Sequence, residues 1–217
     1  MKAEFNPKRL ISITTISVAV LFLCTYFISV WDNHNALCNP FISGCSDITH
    51  AGFTSYENYM LKAVLIPTAT LMGVIFFFIQ NWLIQLSDAN KAIIKQGRVM
   101  LFIASIGCIG LVIGTAVIDG SNTLMTLHLK GVAVFFVTMN VCQVWYTILE
   151  WKYTDKVNKL PVVLRRVAIL ITAVFAIWSI FMTPTGQNRS IVEWWAVYAL
   201  IFWFWTFSIN KRVDNDN

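Results

Sequence analysis

Charge is what this chain has least of. Only 12% of its 217 residues are Asp, Glu, Lys or Arg, against about 25% in soluble domains. With 57% hydrophobic residues and a mean hydropathy of +0.66, that deficit excludes a water-soluble globule and implies an integral membrane protein. The apolar runs also lack acids and bases near their centres. A charge there costs about 3 kcal/mol or more and marks an ion or proton path, so its absence argues against a pump or proton-coupled transporter. There is no HxxxH, no HExxH and no CxxC, so no metal signature or dithiol relay is written in the sequence, and no cofactor is expected. Strict period-two alternation is missing, which argues against a β-barrel. The first apolar run lacks a small-x-small cleavage site and exceeds the 7–15 residues of a signal peptide. It reads as a retained helix. The net charge of +5 would suit nucleic acid if the bases formed a patch. They cluster between apolar runs instead, so no nucleic-acid partner is expected.

What is present is a set of long apolar runs. A bilayer core about 30 Å thick needs about 20 apolar helical residues. Six runs qualify: Leu10–Trp31, Leu61–Leu86, Val99–Ile118, Leu127–Leu149, Val167–Met182 and Ile191–Ile209. The fifth is short and must borrow residues back to Leu164 or forward to Thr183. Irregular backbone cannot face lipid. The fold class is therefore all-α, a six-transmembrane-helix bundle forming one domain over residues 1–217. Of the sixteen Lys and Arg residues, only Lys62, Lys130 and Arg189 break a strict alternation of sides. Lys2, Lys8 and Arg9, then Lys91, Lys95 and Arg98, then Lys152, Lys156, Lys159, Arg165 and Arg166, then Lys211 and Arg212 share one side. The positive-inside rule makes that side, with both termini, cytoplasmic. The intervals Asp32–Lys62, Asp119–Thr126 and Thr183–Ser190 then face outward or into a lumen.

Several span residues read as architecture. Gly110 and Gly114, with Gly107 one turn earlier, let a neighbouring helix approach closely. Pro67 should kink the second span, with Thr68 or Thr70 helping to satisfy freed carbonyls. Trp145, Trp151, Trp194, Trp195, Trp203 and Trp205 suit interfacial anchoring or packing. Asn140 and Gln143 share one face of the fourth span. They suit an interhelical hydrogen bond or, alternatively, a polar cavity for a lipid headgroup. Cys24, Cys108 and Cys142 lie in spans and read as small apolar side chains.

The interval Asp32–Lys62 is the longest polar stretch. It holds Asp32, His34, Cys38, Cys45, Asp47, His50 and Glu57. On the outer side cysteines are oxidisable. Cys38 and Cys45 flank Asn39–Gly44, whose Pro40 and Gly44 favour a turn, so a structural disulfide is the favoured reading, with free thiols as the alternative. All three histidines, His34, His50 and His128, fall on this side, near Asp32, Asp47, Glu57, Asp119 and Glu193. Histidine with carboxylate can hold zinc or run acid–base chemistry. The spacing matches no metal motif, and no metal is expected. Asp47 and His50 share a face only if that segment is helical. Ser190-Ile191-Val192-Glu193 has the form of a capping box opening the sixth helix. Asp119, Gly120, Ser121 and Asn122 suit a turn. Asn188-Arg189-Ser190 is a glycosylation sequon close to the membrane.

At three places the residues resemble the Frag/DRAM/Sfk family of six-helix membrane proteins. That family includes autophagy modulators and a factor in GPI-anchor lipid remodelling. Asp47, Thr49, Gly52 and Glu57 are similar to its S-D-T-G…P-E run, although His50 and Ala51 alter the spacing and Tyr56 stands where proline is common. His128-Leu129-Lys130-Gly131 followed by Phe135-Phe136 resembles its H-x-x-G-A…F-F signature. Glu193-Trp194 is similar to its E-W pair. The resemblance implies a lipid-linked or membrane-trafficking role in a multi-pass protein of a bacterial inner membrane or a eukaryotic membrane. Asp47, Thr49, Gly52, Glu57, His128, Gly131, Glu193 and Trp194 are the expected outer cap, with Asp47, Glu57, His128 and Glu193 converging. The cap would bind membrane lipid or a protein partner, and the chain is expected not to be an enzyme. The alternatives are an interfacial lipid hydrolase or acyltransferase using the outer histidines and acids, and a small transporter.

Overall fold

The computed structural model describes residues 6–53, 55–118, 122–181 and 186–211. Asp119, Gly120 and Ser121 of the expected turn lie outside these, as do Lys2, Thr183 and Arg212. The elements are α1 (Pro7–Trp31), α2 (Pro40–Ser43), α3 (Ile48–Ala51), α4 (Ser55–Leu86), α5 (Lys91–Ala116), α6 (Asn122–Trp151), α7 (Lys159–Phe181) and α8 (Gly186–Trp205). Six of them are long and apolar enough to cross a membrane.

The helices extend beyond the apolar runs. α4 starts at Ser55, which makes Glu57 and Lys62 helical, and α7 starts at Lys159, which draws Arg165 and Arg166 into the helix. Hydropathy detects only the stretch in hydrocarbon, whereas polar residues continue a helix wherever partners or water receive them. The capping-box reading of Ser190 is corrected for the same reason: α8 begins at Gly186 and Ser190 lies inside it. Local chemistry still sets several ends. Asn6 accepts from the amides of Lys8 and Arg9 ahead of Pro7, the preferred first helical residue. Lys62 Nζ and Asn58 Nδ2 donate to the Ile118 carbonyl, at 2.8 and 3.0 Å, just past the end of α5. α4 runs through Pro67 without a break.

Packing orders the long helices α6–α5–α4–α1–α8–α7 around the bundle, with sparse contact between α6 and α7. The tightest pair is α5 with α6. Water does not drive association in lipid, so close van der Waals fit must. Gly107, Gly110 and Gly114 supply it on α5, and Gly131 answers on α6. A Cβ on Gly131 would sit 2.6 Å from the Gly110 oxygen and 2.7 Å from the Gly114 nitrogen.

A polar network closes the end that carries the two termini. Arg165, fully buried, donates from Nε to Glu150 Oε2 at 3.0 Å and from Nη2 to Glu150 Oε1 at 2.5 Å. Its Nη1 reaches Thr206 Oγ1 at 3.2 Å and Asn210 Oδ1 at 2.9 Å. Tyr146 donates to Glu150 Oε1, and the guanidinium lies over the Phe207 ring. This cluster ties α6, α7 and the segment just after α8 together where direct helix contact is sparse. Gln143, one turn before Tyr146, is buried, but its amide has no hydrogen-bond partner among the described residues. The interhelical bond expected of it is therefore absent there.

Candidate functional site

At the opposite end the first polar interval folds back onto the bundle. Cys38 and Cys45 form a disulfide with Cα atoms 6.5 Å apart. The ring between them is α2, started by Asn39, whose side chain accepts from the Phe41 amide at 3.1 Å. It ends at Gly44 with φ 58°, a left-handed conformation that glycine adopts without strain. Phe41 projects from this ring among Trp194, Trp195 and Tyr198, with centroids 5.1–5.7 Å away. Trp194 Nε1 donates to the Ser46 carbonyl at 2.8 Å and Trp195 Nε1 to that of Phe41 at 3.1 Å. Tyr26 accepts from the Cys38 amide at 2.9 Å. Buried indoles need such partners, and here the partners are the loop backbone. The ring is therefore fixed onto α1 and α8.

α3 follows as one helical turn over the bundle interior. Asp47 caps it by accepting from the His50 amide. Gly52 ends it, and a Cβ there would collide with the Leu61 side chain. The turn places Thr49 inward. Its hydroxyl lies 3.3 Å from His128 Nε2 and 3.5 Å from Glu193 Oε1. Asp47 and Arg189 both lie within electrostatic reach of Glu193. His128 is buried, and its Nδ1 is 2.7 Å from the Gly114 carbonyl on α5. A carbonyl only accepts, so Nδ1 carries a proton. In the neutral ring Nε2 is then an acceptor. Thr49 has one proton to share between His128 Nε2 and Glu193.

These groups form the polar end of a cavity of about 100 Å³, part of it open to the surroundings. The walls are apolar and come from α1, α4, α5, α6 and α8: Phe22, Leu65, Met72, Leu111, Phe135 and Leu200 are representative. Along α4 the lining runs from Leu61 to Ile75, about 21 Å at 1.5 Å per residue. Deep inside, Thr14 is buried with its hydroxyl unpartnered among the described residues. Ligand sites are concave, lined mostly by apolar side chains, and carry a few well-placed polar groups. This cavity has that form.

Asp47, Thr49, His128 and Glu193 thus come together, while Gly52 and Gly131 set the packing beneath and beside them. Trp194 pins the disulfide loop. Glu57, in the first turn of α4, meets His34 at the end of α1, with His34 Nδ1 3.2 Å from its Oε1. The histidines have separate partners: His34 meets Glu57, His50 meets Asn35 and His128 meets Gly114 and Thr49. Sequence reasoning missed the cavity itself, whose lining threonines and apolar residues are spread over six helices. The available signal was the unusual threonine content of the span interiors, at Thr14, Thr15, Thr68 and Thr115.

Residues 7–210 match the family described as Frag1/DRAM/Sfk1/Cwh43P N-terminal domain. The chain belongs to this family. No curated protein and no solved structure matches it. As a Frag1/DRAM family member with six membrane-spanning helices, it is an integral, multi-pass membrane protein.

Proposed function

We propose that this Frag1/DRAM family protein binds a single membrane lipid, with one chain in the cavity and the polar group against His128, Thr49 and Glu193. The observation that carries this reading is the union of a long apolar cavity with a polar end formed by His128, Thr49 and Glu193. Half a bilayer core is about 15 Å deep, so a cavity about 20 Å long takes one extended chain. The positive-inside reading places the polar end at the outer leaflet. His128 Nε2 and the neighbouring acids Glu193 and Asp47 favour a headgroup that donates, a hydroxyl or an amine, over a bare phosphate. His128 Nδ1 is held by the Gly114 carbonyl rather than by a carboxylate, and the chemistry assigned to the site is recognition. The lipid-linked role that the family resemblance implies fits this assignment.

The test is a headgroup series on one chain length. Hydroxyl- and amine-bearing lipids should outcompete the same chains capped as methyl esters or phosphates. Glu193→Gln should weaken the amine-bearing lipids about tenfold or more, the scale of one charge-assisted hydrogen bond. Equal affinity across the series, unchanged by Glu193→Gln, would remove the headgroup assignment.

A further inference from the structure

A second cluster lies apart from the cavity, where α1 ends and α4 begins. Asp32, His34 and Glu57 each offer one ligand atom, and these atoms all lie within 4.8 Å of one another. It is the one such group of His, Cys, Asp and Glu among the described residues. We propose that this cluster is a zinc site that clips α1 to α4 at the loop end of the bundle.

The geometry is fixed before any ion arrives. Asp32 is the C-cap of α1, with its amide bonded to the Ile28 carbonyl at 2.9 Å. Asn33 takes φ 60°, a left-handed conformation that asparagine tolerates better than most residues. That turn doubles the chain back, and the His34 amide bonds the Ser29 carbonyl at 2.8 Å. Asn35 bonds Ser29 and also His50 Nδ1, at 3.2 Å. The turn is thereby held to both α1 and α3. Glu57 comes from the first turn of α4. Ligands on rigid elements, oriented by outer partners, are what a metal site needs.

The distances fit the ion. His34 Nδ1 and Glu57 Oε1 are 3.2 Å apart. Tetrahedral zinc with bonds of about 2.0–2.1 Å separates neighbouring ligands by about 3.3–3.4 Å. Asp32 needs only a side-chain adjustment to close the third edge, and it is exposed and free to make it. One imidazole with two carboxylates favours zinc over calcium, which takes six to eight oxygens. Solvent fills the fourth position. Burial supports the assignment: Glu57 is fully buried, whereas His34 is 42% exposed, so the anchor is inside and the route for the ion is open. The missing sequence motif is no objection, since the ligands meet across two helices rather than along one.

Asp32→Asn is the discriminating variant. A plain His34–Glu57 ion pair does not need Asp32, whereas a three-ligand zinc site does. Tag-free, metal-stripped protein in detergent should take up one zinc per chain, measured by elemental analysis and chelator competition. Loss of an outer-shell partner alone weakens a site about 10–100-fold. Asp32→Asn and His34→Ala remove direct ligands, and each should weaken zinc by about 100-fold or more. Asp32 is exposed and lies outside the His34–Glu57 pair, so Asp32→Asn should keep the melting temperature of metal-free wild type, whereas His34→Ala takes a partner from buried Glu57 and should lower it. Zinc should raise that temperature in wild type only. Failure of wild type to bind zinc, or equal binding by Asp32→Asn, overturns the proposal and leaves an ion pair.

Discussion

Arg165→Ala should cost about 3–5 kcal/mol of stability, the largest loss expected from any single change at the terminal end of the bundle. The reason is what remains rather than what leaves. Glu150 is 1% exposed and takes two bonds from the guanidinium. Without Arg165 it becomes a buried carboxylate whose remaining hydrogen bond comes from Tyr146. Thr206 and Asn210 lose their shared donor as well. α6 and α7 have little else between them. Unfolding of purified protein in micelles should show a large drop in melting temperature and a fall in monodisperse yield. Replacing both members with apolar residues, Glu150→Leu with Arg165→Met, should recover much of the loss, because a buried ion pair is costly to desolvate. A loss below about 1 kcal/mol for Arg165→Ala, the range of an exposed pair, would contradict the network described.

The second large effect is expected at Gly131. Leu at this position gains helix propensity worth about 1 kcal/mol. Overpacking opposes it, typically by about 1–3 kcal/mol and sometimes more. Overpacking should win here because the obstacle is backbone: the Gly110 oxygen and Gly114 nitrogen lie under 3 Å from the added Cβ, and neither can rotate aside. The helices must separate, and His128, one turn earlier, then loses its bond to Gly114. Gly131→Leu should therefore lower both thermal stability and lipid retention. Gly73→Ala is the control, since a Cβ at Gly73 meets nothing within 4 Å; it should be neutral or mildly stabilising. Unchanged stability in Gly131→Leu would mean that α5 and α6 are not packed through their glycines.

The helix count was legible because hydrocarbon imposes a long apolar run on each crossing. The helix ends were not. Ser55–Met60 and Lys159–Arg166 look like loop by hydropathy, yet they are helical because Glu57 and Arg165 find partners in three dimensions. The cysteine pair was legible from spacing and turn residues, whereas the seating of Phe41 among aromatic residues of α8 depends on contacts far apart in sequence. At the site, Asp47, Thr49, His128 and Glu193 could be listed from short motifs. That Glu57 meets His34 depends on how the end of α1 and the start of α4 come together, which no local motif states. Arg165 was readable as one of many cytoplasmic bases, and its burial against Glu150 was not, since charge counting carries no depth.

The lipid assignment rests on the cavity being filled by a chain, and native mass spectrometry of detergent-extracted protein measures that directly. Wild type should retain one lipid per chain. Leu65→Trp, which fills the cavity from α4 beneath the polar end, should yield a folded protein of normal helicity with the lipid gone. Wild type emerging without lipid, or Leu65→Trp keeping the same lipid at the same occupancy, would contradict the account.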